Sequence, residues 1–202
     1  LKRALAEAKA KQEDIPMFIG GQHVHTAHKV AMHPPHERAH TLGHYSHGDA
    51  SHVQAAIEAA LKAKPAWEAM PWQERAAIFL RAADLLTGPY RYKMMAATML
   101  CQSKNAYQAE IDCICELADF WRFNVYFAQE IYKQQPLSVR NTWNRTDWRP
   151  LEGFVFALTP FNFTAIAGNL PTAPAMLGNV AVWKPAESQI YSAAVIMEIL
   201  EA

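Results

Sequence analysis

Three polar side chains stand just past two apolar runs, and their chemistries complement one another. "GFVFAL" leads into "TPFNF", which sets the amide of Asn162 between the rings of Phe161 and Phe163. "VAVWK" ends in Lys184, with Glu187 close behind. An amide can donate a hydrogen bond to charge that develops during a reaction. Each residue also has a plain structural use: Asn forms turns, a Lys before Pro ends a solvated strand, and Glu suits a helix start. Their order and spacing matter more than any one of them, so the elements that carry them decide the reading.

"GFVFAL" reads as a buried strand and "VAVWK" as a second one. Between them, "FTAIAGNLPTAPAML" reads as a helix irregular at Pro171 and Pro174, stopped by Gly178-Asn179, and residues 188–202 read as a further helix. Two apolar strands joined by a helix of this length form a βαβ unit with parallel strands. In open parallel sheets ligands sit beyond the carboxyl ends of the strands. Asn162, Lys184 and Glu187 are therefore expected on one sheet edge, around one crevice.

Upstream, residues 15–48 read as short strands and turns. Ser51 and Gln54 have capping-box spacing, so a helix is expected over 51–69. A second runs from Pro71 to Leu86 and meets the stop "TGP", and a third covers 90–101. Asn105 and Gln108 open a fourth, whose stripe of Tyr107, Ile111, Ile114, Ala118, Trp121 and Val125 continues to Gln134. "PLSVRNTWNRTDWRP", residues 136–150, alternates polar and apolar and reads as an exposed β-ribbon turning near Asn141 to Asn144. Such a ribbon offers an edge to a second copy, so homo-oligomerisation through it is expected.

The 202 residues are 51% hydrophobic, enough for a real core. Lys plus Arg and Asp plus Glu are both 19, with no basic block, which argues against nucleic acid and acidic membrane surfaces as partners. No apolar run reaches the roughly 18 residues needed to span a bilayer. Three cysteines, Cys101, Cys113 and Cys115, make no disulfide framework and suit a reducing compartment. The chain starts at Leu1 and ends inside an amphipathic helix without a cap, the pattern expected of a fragment. All nine histidines fall between His23 and His52, some at metal-ligand spacings. A metal-binding module is thus a rival reading, although no cysteine lies nearby; surface histidines on a β-rich arm are the favoured one.

Taken together, "TPFNFT" and "GNVAVWKPAE" resemble two motifs of the aldehyde dehydrogenase superfamily, at the family's distance from each other. Within it, "EGFVFALTPFNFTAIAGNLPTAPAMLGNVAVWKPAES", "QAEIDCICELADFWRFN" and "LTGPYRYKMMAATMLCQSKN" are most similar to the subfamily that oxidises L-glutamate γ-semialdehyde, the open form of Δ1-pyrroline-5-carboxylate, in proline catabolism. The resemblance implies an α/β fold. Residues 1–135 would be an N-terminal arm and helices of the cofactor-binding domain, 136–150 the ribbon of the oligomerisation domain, and 151–202 the first βαβ unit of a Rossmann-like NAD-binding domain. It makes Asn162 an oxyanion-hole donor and packs Phe163 on the substrate's carbon chain. It also puts Thr159, Lys184 and Glu187 on the dinucleotide, the last two at the adenosine ribose, and Glu110 near the substrate's amino group. Glu110 has an equally good reading as a solvated helix glutamate. A carboxylate at the ribose repels a 2′-phosphate, so NAD is expected over NADP. The family binds NAD without the glycine fingerprint, which this chain also lacks.

By the same resemblance, the family's nucleophilic cysteine and general-base glutamate lie downstream of these segments. Cys101, Cys113 and Cys115 match non-catalytic segments and read as small core residues. The chain alone is expected to be inactive, with the catalytic domain absent. The compartment implied is a bacterial cytoplasm or the mitochondrial matrix. A non-catalytic oligomerisation remnant is the remaining alternative.

Overall fold

The computed structural model describes residues 1–202. A short helix, α1 (Lys2–Ala10), leads into five short strands: β1 (Glu13–Ile15), β2 (Met17–Ile19), β3 (Gln22–Val24), β4 (Lys29–Met32) and β5 (Gly43–Ser46). β1 pairs in parallel with β5, which pairs antiparallel with β4, while β2 and β3 form a separate hairpin. Four helical stretches follow: α2 (Ala50–Ala69), α3 (Trp72–Thr87), α4 (Arg91–Gln102) and a long rod of α5 (Ala106–Ala109), a π-helical turn (Glu110–Glu116) and α6 (Leu117–Lys133). The chain ends in β6 (Val155–Leu158), α7 (Thr164–Met176), β7 (Ala181–Lys184), a 3₁₀ turn (Glu187–Gln189) and α8 (Ile190–Glu201).

The helix starts follow local chemistry. Asn105 and Gln108 form the expected capping box. α2, however, is capped by Asp49 rather than Ser51: the Asp49 carboxylate accepts from the backbone of Ser51 and His52, and the His52 ring answers the Asp49 backbone N–H. Aspartate two residues earlier simply offers the better-placed acceptor.

The π-helical turn alters the expected stripe of the fourth helix. It takes more residues per turn than an α-helix, so the faces on its two sides fall out of phase: Tyr107 and Ile111, expected on the core side, are 83% and 65% exposed, while Ile114, Ala118 and Trp121 are buried. Asp112, unremarked by the stripe, is brought inward to 2% exposure. π turns of this kind cluster at functional sites.

Helices α3, α4, α6, α7 and α8 share one core, with Leu86, Met94, Leu117, Trp121 and Ile196 fully enclosed. Gly168 permits the α6–α7 approach, because a Cβ there would lie 2.7 Å from a Leu117 methyl. α7 runs unbroken through Pro171 and Pro174. It then closes as a Schellman turn: Asn179 N–H donates to Pro174 O (3.1 Å) and Gly178 N–H to Ala175 O (3.0 Å), with Gly178 left-handed at φ +87°.

Two expectations need correcting. The "GFVFAL" strand is not buried on both faces: Ala157 points inward, but Phe156 and Leu158 are each 59% exposed, because helices cover only one side of the β6–β7 pair. Residues 136–150 form no strand ladder. The segment doubles back at a turn closed by Thr142 N–H to Val139 O. It is held across by side chains: Asn144 Nδ2 donates to Leu137 O (2.8 Å), and Gln135 Oε1 accepts from Thr146 N (2.9 Å). Amides have taken the place of backbone pairing, and Leu137 (91%) and Trp143 (80%) stay exposed. No helix is long and apolar enough to cross a membrane.

Candidate active site at the β6–β7 edge

β6 and β7 run parallel with Leu158 opposite Lys184, so their carboxyl ends finish level. Thr159 N–H donates to Lys184 O at 3.3 Å, extending the register by one residue. The turn 160–163 and the segment Lys184–Glu187 therefore leave the sheet on one edge.

Asn162 is exposed, and its amide makes no hydrogen bond within the chain. Its two aromatic neighbours do not enclose it, since Phe161 is 67% and Phe163 39% exposed. Phe163 carries a cation on its ring, with Lys104 Nζ 4.2 Å from the centroid. Thr159 is buried and its hydroxyl is engaged, accepting from Trp183 Nε1 at 3.0 Å. Its own O–H and its carbonyl oxygen are the polar groups left without a partner.

Lys184 and Glu187 are both exposed and take part in no ion pair. An unpaired ammonium group and an unpaired carboxylate, three residues apart past a strand end, suit a ribose diol: one donates to the hydroxyls and the other accepts from them. Glu187 also rims a cavity of about 380 Å³ walled by Met32, Arg38, Tyr45 and Tyr191. Burial, and then the charge of Glu187, push the Tyr45 phenol above its ordinary pKa.

Beneath the turn lies a feature that the residue patterns did not reveal. α7 starts after Phe163, which has no side-chain acceptor to cap it. Asp112, on the π-helical turn, supplies the cap: its Oδ2 accepts from Thr164 N–H at 3.0 Å and its Oδ1 from Ala165 N–H at 2.8 Å. Lys104 Nζ pairs with the same carboxylate at 2.6 Å. Hydrogen bonds to a charged group contribute about 1.5–3 kcal/mol each, which offsets the cost of burying the carboxylate. Thr164 is tied further, its hydroxyl meeting Thr98 Oγ1 (2.9 Å) and Gln102 Nε2 (2.6 Å). An N-cap phenylalanine followed by free N–H groups, and an aspartate between Ile111 and Ile114, were the available signals in the sequence.

This cap has a consequence for dinucleotide binding. In doubly wound folds the first helix start commonly holds a diphosphate. Here those N–H groups are filled and an anion sits among them. The start of α7 therefore offers a diphosphate neither of its first two N–H groups, and the chain also lacks the glycine fingerprint.

Glu110 begins the π-helical turn and is ion-paired with Arg91, its side chain 30% exposed, so it is not a freely solvated glutamate. Burial raises the Cys101 thiol to about 11 and the Cys113 thiol to about 12, so neither is poised as a thiolate at neutral pH. Cys115 is exposed. The histidines disperse among separate partners, such as His23 with Glu201, His36 with Ser103 and His52 with Asp49. No three His, Cys, Asp or Glu residues come together in a metal-holding group.

Comparison with known proteins agrees with this architecture. The sequence profile described as "Aldehyde dehydrogenase family" matches residues 23–202. The chain is 52% identical over 202 residues to a delta-1-pyrroline-5-carboxylate dehydrogenase of Agaricus bisporus, covering 99% of this chain and 37% of that protein. It is 44% identical to the human mitochondrial enzyme of the same name, over 99% of this chain and 36% of the relative. The crystal structure of the Mycobacterium tuberculosis delta-pyrroline-5-carboxylate dehydrogenase bound with NAD superposes with a TM-score of 0.97 at 53% identity, over 99% of this chain and 38% of that one. The chain spans a little over a third of the length of these relatives.

Proposed function

The chain belongs to the aldehyde dehydrogenase family, and from that premise we propose that it is the oxyanion-donor and ribose-binding part of an NAD-dependent dehydrogenase that oxidises L-glutamate γ-semialdehyde to L-glutamate. The observation that carries the reading is the level β6–β7 edge, where an unpaired amide, ammonium group and carboxylate leave the sheet together. The similarity to pyrroline-5-carboxylate dehydrogenases supports the choice of substrate.

In this reading Lys184 and Glu187 hold the adenosine ribose, and Thr159 offers its carbonyl oxygen. NAD, when bound, supplies the hydride acceptor. Asn162 donates its amide to the aldehyde oxygen as negative charge gathers there. A donor fixed in advance stabilises that charge without reorganising. Phe163, braced by Lys104, presents its ring to the aldehyde's carbon chain. Glu110, oriented by Arg91, faces the substrate's amino group. By the family resemblance the attacking thiolate comes from a part of the enzyme outside this chain: Cys101 and Cys113 are buried and hold their protons, and Cys115, though exposed, falls in a segment that matches a non-catalytic one. The open apolar face of β6, with Phe156 and Leu158, suits cover by that same part, since parallel strands are normally covered on both faces. Exposed Leu137 and Trp143 of segment 136–150 give a second copy something to bind, and the compartment is a reducing one, mitochondrial matrix or bacterial cytoplasm.

In the complete enzyme, Asn162→Ala lowers kcat by about 10²–10³-fold and leaves the dissociation constant for NAD nearly unchanged. Steady-state kinetics paired with NAD titration reads both. Turnover near that of the unaltered enzyme removes Asn162, and with it the reading.

A further inference from the structure

We infer that Asp112 and Lys104 form a positioning device for Asn162, fixing the donor's place without touching the substrate. The inference rests on the oxyanion role proposed for Asn162.

Asn162 sits on an exposed turn with no hydrogen bond of its own to hold its side chain. The turn is anchored at its two ends. On the β6 side, Thr159 is pinned by Lys184 O and Trp183. On the α7 side, the first two backbone N–H groups of the helix bond to the two oxygens of one buried carboxylate, Asp112. Asn162 lies two residues before the first of those N–H groups. Lys104 then acts twice. Its ammonium group meets Asp112 Oδ2 at 2.6 Å, and it stands 4.2 Å from the centre of the Phe163 ring, next to Asn162 in sequence. One cation thus joins the carboxylate that fixes the helix to the ring that flanks the donor. The π-helical turn is what swings Asp112 to 2% exposure; it places Glu110 and the anchor on one short segment.

A displacement of about 1 Å in a catalytic group can cost 10²-fold in rate. Asparagine at 112 keeps the volume but can accept through one oxygen only, and it turns an amide toward Lys104 and one helix N–H. Asp112→Asn in the complete enzyme is therefore expected to lower kcat by about 10–100-fold. The dissociation constant for NAD stays within about twofold, because Lys184 and Glu187 follow β7 and Thr159 is pinned to β7 rather than to Asp112. Lys104→Met, which leaves the carboxylate in place, lowers kcat by a smaller factor and keeps the inference testable if Asp112→Asn does not fold.

A role in stability alone is separated by a double-mutant cycle, with kcat counted per NAD-binding site. If Asp112 works through Asn162, then adding Asp112→Asn or Lys104→Met to Asn162→Ala costs almost nothing further. Losses that multiply, or a single Asp112→Asn variant with normal kcat, overturn the positioning role while leaving Asn162 as donor. A fully active Asn162→Ala enzyme overturns both.

Discussion

Helix α7 has a buried ion at each end, and the two ends are built differently. At its start the ion is an anion: Asp112, partnered by Lys104 and lying under an exposed turn. At its finish the ion is a cation: Arg75, 4% exposed, with no carboxylate near it. Its guanidinium donates to Met176 O (3.2 Å) at the end of α7, to Trp67 O (3.2 Å), Glu68 O (3.4 Å) and Met70 O at the end of α2, and to the Tyr132 hydroxyl (3.4 Å) near the end of α6. Both signs agree with the helix dipole, negative charge at the start and positive at the finish. The Arg75 end fastens α2, α6 and α7 to α3. The Asp112 end fastens one helix start, and an unpaired amide stands two residues away. The same electrostatic rule builds scaffold at one end and supports a site at the other; what separates them is what each ion ties down, several helices in one case and a single helix start beside the Asn162 turn in the other.

The largest expected effect comes from removing the scaffold ion. Arg75→Met deletes the charge, leaves the buried Met176 carbonyl oxygen without this donor and removes the tie to the part-buried carbonyl oxygens at the end of α2, which costs about 3 kcal/mol of stability. Denaturant unfolding measures it. In the complete enzyme at low temperature, kcat per NAD-binding site stays unchanged, the reverse of Asp112→Asn. A rate loss as great as that of Asp112→Asn would erase the distinction between the two ends. Next in size is Gly178→Ala. At φ +87° an alanine is strained, and its Cβ would lie 2.9 Å from Pro150 Cγ and 3.3 Å from Arg75 Cζ. A loss of about 1–2 kcal/mol is expected, again without a change in rate per site. A neutral substitution would show that the Schellman turn does not brace Arg75.

The two ends also differed in how legible they were. Gly178-Asn179 announced the finish of α7, since a left-handed residue there is a glycine's conformation. The parallel strands and their shared edge followed from two apolar runs and a connecting helix. The start of α7 was less open to reading. Its cap comes from 52 residues upstream, a partner no local pattern displays. The π-helical turn shifts the phase of its helix, so a regular 3.6-residue period misplaced Tyr107 and Ile111 and passed over Asp112. Residues 136–150 alternate like a strand, but alternation does not reveal that side-chain amides, not backbone groups, close the loop. Likewise, Phe156 and Leu158 are apolar enough for a core, and composition alone does not say which face of a strand is covered.

The smallest expected effect distinguishes the ends by pH. Burial, with the Asp112 charge as a lesser cause, lifts the Cys113 thiol from its ordinary 9.0 to about 12, and burial lifts Cys101 to about 11. The folded chain keeps these protons at a pH where the unfolded chain has lost them. Stability is therefore present in full below about pH 9 and falls as pH climbs toward 11 to 12. One unit above 9.0 the loss is about 1 kcal/mol for each thiol. Arg75 leans on carbonyl oxygens that do not titrate, so its end contributes nothing to this slope. Urea unfolding between pH 8 and about 10.5 should show a shallower alkaline decline in Cys113→Ala and an unaltered one in Arg75→Met. An unaltered decline in Cys113→Ala would mean that Cys113 does not report on the Asp112 end, and the contrast between the two ends would then rest on the rate measurements alone.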